Sequence, residues 1–301
     1  MTAIKTLQTA PATALAVAAM VLSAACWGSA TIMSKAALGA IPPFTLLVIQ
    51  LSTSVTALWL AAIATRTRFT LDRDGRKAAL AGVLEPGLAY VVAVPGLALT
   101  SAVNASVIGT GELALILLLT WLVLKQRPNL SMVLAIAIAM AGVLLVTIPD
   151  LKIAGQGELS GDALILLGTL FAAGYVVVSS QYRGDMSPLA LAALQQTVGL
   201  ALAVCVFAVA VLIGAEPIPK VPAASILLIA ALSGIVQYAL AFWFYLVGLK
   251  TLAPSVAGLF LALIPVFGIS GAVLFLNEPL MSLQGLGAAL VVAAIIVAAR
   301  S

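Results

Sequence analysis

The chain has 301 residues, of which 63% are hydrophobic and only 8% charged, with a mean hydropathy of +1.24 and a net charge of +4. A soluble globular chain is about 45–50% apolar and about 25% charged, so this composition excludes a water-soluble domain and places the protein in a bilayer. There is no histidine, and the two cysteines, Cys26 and Cys205, both lie in apolar runs, which gives no basis for a metal centre, a disulfide framework or a resident cofactor.

Apolar runs follow one another along nearly the whole chain, at 11–37, 43–64, 77–98, 101–123, 130–148, 160–182, 187–213, 222–249, 252–275 and 281–299. Each has about 18 residues or more, enough to cross about 30 Å of hydrocarbon as a helix. Strand alternation is absent, so the pattern predicts an all-α membrane protein of ten transmembrane helices. Links such as RPNL (Arg127 to Leu130) and LAPS (Leu252 to Ser255) leave no space for a soluble domain.

The first run resembles a secretory signal, with Lys5 ahead of it and the small residues SAAC at Ser23 to Cys26. It continues through WGSATIM (Trp27 to Met33), and the internal repeat needs this helix, so it is read as a retained span. The third run contains Glu85 followed by Pro86, where the missing N–H and the displaced carbonyl of Gly82 predict an irregular turn. The fourth, VIGTGELALILLL (Val107 to Leu119), contains Glu112 near its middle. The eighth places Gln237 at a comparable depth, and Pro265 predicts a kink in the ninth.

Cytoplasmic loops collect Lys and Arg near helix ends. With the N-terminus inside, the cytoplasmic set is Lys5, Arg66, Arg68, Arg73, Arg76, Lys77, Lys125, Arg127, Arg183, Lys250 and Arg300, leaving Lys35, Lys152 and Lys220 outside. Both termini are therefore expected in the cytoplasm, with the chain in the inner membrane. No basic block resembles a nucleic-acid patch and no nucleotide-binding loop is present, so neither nucleic acid nor ATP is an expected partner.

The halves of the chain match each other. Adding 146 carries Gly28, Pro42 and Gln50 onto Gly174, Pro188 and Gln196. Adding 152 carries Ala78, Gly82, Glu85, Ala89 and Gly96 of the third run onto Ala230, Gly234, Gln237, Ala241 and Gly248 of the eighth, one stripe on each helix. The predicted repeats are 11–148 and 160–299, five helices each. An odd number of helices makes the second half enter from the opposite side, and such inverted-topology repeats hold their substrate near the bilayer midplane.

The segment PSVAGLFLALIPVFGISGAVLFLNEPLMSLQGLGAALVVAAIIV (Pro254 to Val297) resembles the end of an EamA repeat of the drug/metabolite transporter superfamily, and LSAACWGSATIMSKAAL (Leu22 to Leu38), with its Trp-Gly pair, resembles the opening of one. The first copy departs from the pattern, with Leu113 and Gln126 where the second has Pro265 and Glu278. The resemblance implies ten helices, a central cavity lined chiefly by helices 1, 3, 4, 6, 8 and 9, and export of small metabolites. The nearest branches are the amino-acid exporters, including the aromatic amino-acid group.

An ionisable group at the centre of a membrane helix costs about 2.5–3.5 kcal/mol and persists mainly where it faces a partner or an aqueous cavity. Glu112 shares its face with Ser101, Ala105 and Gly109, small or polar residues that leave space for a ligand. It either meets a substrate ammonium or carries a proton, or it is a protonated acid bonded to a neighbouring helix. Glu85 and Gln237 have the same two readings, site or interhelical bond. Trp27, Tyr90, Tyr175, Tyr238 and Trp243 lie deep enough to line a cavity or simply to pack, whereas Trp59 and Trp121 suit the interface belts. Asn104 is a further neutral donor, with Gln237 and a Trp N–H, for a substrate carboxylate, and Pro86 and Pro265 are candidate gating kinks.

Two interior carboxylates and no interior arginine, with Lys35 late enough in its helix to snorkel outward, disfavour phosphorylated ligands, which need buried Arg or Lys. A zwitterion or cation with an apolar side chain fits better. The leading expectation is a secondary exporter of amino acids working by alternating access; the alternative is an exporter of cationic metabolites, polyamines or drugs. An enzyme is not expected, because the chain has no Ser-Lys or Cys-His set and no acidic pair at ligand spacing.

Overall fold

The structure is a computed structural model that describes residues 10–100, 105, 108–109, 111–151, 159–182, 185–217, 222–276 and 281–300. Asn104, Ser101, Lys152, Lys220 and Glu278 lie outside the described residues. The first five helical spans are α1 (Ala10–Leu38), α2 (Pro43–Ala64), α3 (Arg73–Leu99), α4 (Gly111–Leu124, with helical residues also at 105, 108 and 109) and α5 (Leu130–Leu151). The second five are α6 (Leu159–Ser179), α7 (Pro188–Leu212), α8 (Ala224–Leu249), α9 (Pro254–Leu261 and Leu263–Leu276) and α10 (Ser282–Arg300). There is no strand among the described residues.

Six of the ten, α1, α2, α3, α6, α7 and α8, are long and apolar enough to cross a membrane; the uninterrupted apolar stretches in α4, α5, α9 and α10 are shorter. The outer surface carries Leu15, Leu60, Ile63, Leu166, Leu228 and Val292, all exposed, as helices facing lipid require. The face of the bundle at which α1 begins is here termed proximal, and the face at which α1 ends distal.

Glycines set how closely the two halves approach. A Cβ on Gly82 of α3 would collide with the backbone of Gln195 in α7, and one on Gly234 of α8 with the backbone of Gln50 in α2. Because Gly82 and Gly234 are repeat mates, so are Gln50 and Gln195. Pro43 and Pro188, each the first residue of its helix, stand in the same relation. The register between α2 and α7 is therefore 145, one residue less than the sequence match of 146, which Pro42 and Gln196 had suggested because prolines and glutamines occur in adjacent pairs.

The two helix starts are capped differently. Ser187 accepts the Ala190 N–H at 3.2 Å at the head of α7. Pro42 has no such side chain, and the head of α2 is capped from a distance by the buried carboxylate of Glu216, beyond the end of α7. It accepts the Phe44 N–H at 2.8 Å, the Thr45 N–H at 2.6 Å and the Thr45 hydroxyl at 2.6 Å.

Both long central helices are broken at the same level. In α3, Glu85 takes extended backbone angles (φ −149°, ψ 127°) inside a π-turn over Leu84–Leu88. Its repeat counterpart in α8 is a π-turn over Ile235–Leu240. Pro86 accounts for the first break; its mate is Tyr238, so the second has no proline and no sequence signal. In α9 the helix divides at Ala262, within one turn before Pro265, whose ring displaces the carbonyl of Leu261.

Candidate functional site

Between the halves lies a cavity of about 280 Å³, at the small end of ligand sites and suited to a metabolite. Its wall comes from α1, α3, α4, α6, α8 and α9, and also from α2 through Leu46 and Gln50. From the level of the broken turns it runs past Thr31, Ser34, Leu97 and Ala105, toward the distal face. Small residues make the space: Ala89, Ala93, Gly168 and Ala172 form one smooth side between α3 and α6.

Both membrane carboxylates are on this wall. The extended backbone at Glu85 turns its side chain out of the α3 ladder, and Glu112 continues the line of Ala105 and Gly109 on α4. Among the described residues no Lys or Arg lines the cavity. Among the described residues no three His, Cys, Asp or Glu side chains gather as a metal site would require.

The same wall also carries a neutral polar chain. The Ser34 hydroxyl donates to Gln237 Oε1 at 2.7 Å and accepts from Gln50 Nε2 at 2.8 Å; Gln50 Nε2 also donates to Ser233 Oγ at 2.8 Å. This holds the oxygen end of the Gln237 amide, whose side chain also hydrogen-bonds the Tyr90 hydroxyl. Tyr238 and Tyr245, 0% and 1% exposed, are on the cavity wall, and their buried hydroxyls have no hydrogen-bond partner among the described residues. The Trp27 indole N–H makes no well-formed hydrogen bond either, its polar neighbour being the Tyr90 hydroxyl. A buried donor left unsatisfied costs about 1–3 kcal/mol, a cost that an acceptor reaching these groups would relieve.

Beneath them is an aromatic floor. Phe242 packs edge-on to Trp27 at 5.2 Å and to Tyr175 at 5.7 Å, and lies parallel to Tyr238 at 6.3 Å; Tyr90 meets Tyr238 at 4.8 Å. The Trp-Gly pair of α1 now has a division of labour: Trp27 enters the floor, while Gly28 lets the Ile264 carbonyl and Phe267 of α9 come within the space a Cβ would need.

Of the residues singled out in the sequence, Glu85, Glu112, Gln237, Trp27, Tyr90 and Tyr238 meet on this one cavity. Tyr175 and Trp243 are not on its wall. Tyr175 lies behind Phe242 and donates its hydroxyl to Gln195 Oε1 at 2.9 Å, and Trp243 stacks on Phe244 at 5.2 Å. Asn104 is outside the described residues. Sequence reasoning missed Ser34, Gln50, Tyr245 and Phe242. Tyr245 was within reach, seven residues beyond Tyr238 on the same stripe, whereas the Ser34–Gln50 bond joins two helices at a point no periodicity marks.

The sequence pattern of the EamA-like transporter family matches twice, over residues 14–148 and 159–300. The chain belongs to the EamA-like transporter family. It is thus a multi-pass membrane transporter of the drug/metabolite transporter superfamily, with a small molecule as its cargo. A solved crystal structure superposes with a TM-score of 0.76 at 18% identity, over 96% of this chain and 98% of its own, which is a likeness of fold. No curated protein matches the chain.

Proposed function

We propose that this EamA-like transporter exports amino acids across the inner membrane by alternating access between its two repeats, with the proximal face and both termini in the cytoplasm. The observation that carries the amino-acid reading is the pairing, on one cavity wall, of two carboxylates with Tyr238 and Tyr245, whose buried hydroxyls have no partner among the described residues. The ammonium group goes to Glu112 and Glu85. The carboxylate takes hydrogen bonds from the two tyrosines, Trp27 and Gln237, and the apolar side chain lies along the wall of Ala89, Ala93 and Ala172. The orientation follows the cations: Arg66, Arg68, Arg73, Arg76, Lys77, Lys125, Arg127 and Lys250 are in or beside the proximal loops, and Lys35 is near the distal end of α1.

The test is uptake of labelled phenylalanine into proteoliposomes of the purified protein. Methionine and threonine should compete, and a nucleotide sugar at equal concentration should not. Stronger competition by the nucleotide sugar would overturn the substrate class. The absence of any cation from the wall favours one second reading, export of cationic metabolites, polyamines or drugs. Phenethylamine separates the two: it keeps the ring and ammonium of phenylalanine but has nothing for the tyrosine hydroxyls, so it should compete poorly if the amino-acid reading is right.

A further inference from the structure

The central cavity has a counterpart near the proximal face. A small, partly open space of about 30 Å³ lies there, with Ser179, Tyr182, Leu191, Leu246, Leu249 and Lys250 on its wall. Four of these are repeat mates of residues on the large cavity. Ser34 and Leu46 correspond to Ser179 and Leu191 in the register of 145, and Val94 and Leu97 correspond to Leu246 and Leu249 in the register of 152. The inverted repeat therefore presents the same part of its wall twice, once toward each face.

The two differ in volume and in charge. About 30 Å³ is the share of a single water molecule in the liquid, so the proximal space admits no metabolite as it stands. It is narrowed by apolar packing: Met186, Leu191, Leu246 and Leu249 are each no more than 5% exposed. The Tyr182 hydroxyl accepts the Met186 N–H at 3.3 Å, which holds the ring over the loop before α7. Among the described residues, the large cavity has two carboxylates and no cation on its wall, and the proximal space has Lys250 and no carboxylate. Lys250, at the end of α8, is exposed to solvent beside this narrow space.

We propose that this space is the closed proximal mouth of the transport path, and that Lys250 is the group that receives a substrate carboxylate there before the solute reaches Glu112. The identity of the carboxylate rests on the amino-acid reading above; the position of the mouth does not. Opening moves the end of α8 away from the end of α6 and the start of α7, the parting that separates the matching segments of α3, α1 and α2 around the large cavity. The π-turns of α8 and α3 lie inward of both mouths, where such a movement would pivot. A zwitterion arriving from the proximal side thus meets a cation first and two acids afterwards, so both of its charges have partners along one direction of travel.

Two measurements on the full chain test this. In a background with Cys26→Ala and Cys205→Ala, Leu191→Cys and Leu246→Cys are exposed to a membrane-impermeant maleimide applied to the proximal face of sealed vesicles. Both should label, because the mouth opens transiently, and labelling should change when phenylalanine is added. No labelling at either position from that face would overturn the mouth. In proteoliposomes, Lys250→Gln should raise the KM for phenylalanine presented at the proximal face about tenfold, the loss of one charge-assisted hydrogen bond, with the maximal rate little changed. KM at the distal face should stay unaltered, and Lys250→Arg should restore the proximal value. An unchanged proximal KM, or an equal rise from both faces, would overturn the role of Lys250. Labelling of both cysteine variants, together with a wild-type protein that moves no amino acid, would sink the amino-acid reading, and with it the carboxylate assigned to Lys250, while the mouth stands on the labelling alone.

Discussion

The two repeats share a scaffold and divide the chemistry. Where the first has Glu85 and Pro86 in its broken turn, the second has Gln237 and Tyr238; where the first has Glu112 and Leu113, the second has Ile264 and Pro265. The glycines that let helices cross, Gly82 and Gly234, occupy mated positions and meet the same kind of surface, the backbone of a glutamine. Close packing thus holds both halves to one pattern while the cavity wall is free to differ. The cavity is acidic on the side of α3 and α4 and rich in neutral donors on the side of α1 and α8. A solute with two unlike ends then has one favoured orientation, which a wall that was the same in both halves would not impose.

The largest effects are expected where the halves are alike. Gly82→Val and Gly234→Val both drive a side chain into a helix backbone that cannot yield by rotating a side chain, so each should cost at least about 3 kcal/mol and strongly lower the yield of folded protein. Gly109→Ala and Gly285→Ala, whose Cβ atoms would meet nothing within 4 Å, should stay within about 0.5 kcal/mol. Thermal unfolding of the purified variants in detergent checks this. Tolerance at Gly82 with collapse at Gly234 would mean that the crossings are not equivalent, and the register of 145 would lose its main support.

The next effects concern the difference between the halves. Glu112→Gln and Glu85→Gln each remove a charged partner of the substrate ammonium, worth about 1.5–3 kcal/mol, so phenylalanine transport at low concentration should fall about 10- to 100-fold with unfolding temperatures unchanged. Gln237→Glu makes the mated positions alike by adding a third carboxylate where the proposed substrate carboxylate lies. It should weaken phenylalanine competition by a similar factor and strengthen competition by a diamine. If Gln237→Glu leaves phenylalanine unaffected, the substrate carboxylate does not bind on the α8 side.

Much of this was legible in the sequence because lipid imposes simple demands. Long apolar runs, the odd number of helices per half and the stripe from Ala78 to Gly96 mated with Ala230 to Gly248 led to the ten-helix, two-repeat reading. The acids stood out because an ionisable group in hydrocarbon has few places to face. What was hidden depended on contacts between segments far apart in the chain. The π-turn of α8 has no proline to announce it, and Tyr175 and Trp243 have the same composition and depth as Trp27 but face elsewhere. The Ser34, Gln50 and Gln237 chain spans three helices. The register slipped by one because Pro42 and Pro43, like Gln195 and Gln196, are adjacent twins, and a match by residue type cannot choose between them.

The smallest effect expected distinguishes the two helix heads next to that slip. At the head of α7 the cap is local: Ser187 serves the N–H of Ala190, and its loss to alanine should cost about 1 kcal/mol, as for a single exposed or half-buried cap. At the head of α2 the prolines Pro42 and Pro43 supply no capping side chain, and the Glu216 carboxylate, 4% exposed, satisfies two backbone N–H groups and the Thr45 hydroxyl. Glu216→Ala strands all three, and buried unsatisfied donors cost more than a lost surface cap, about 2–3 kcal/mol in total. Thr45→Val removes only the hydroxyl and leaves both N–H bonds, so it should fall below Ser187→Ala. Chemical or thermal unfolding of the three variants should therefore rank Glu216→Ala, Ser187→Ala and Thr45→Val in decreasing order. Should Ser187→Ala prove as costly as Glu216→Ala, the link from the end of α7 back to α2 contributes no more than a local cap, and the first repeat does not depend on the second for the start of its second helix.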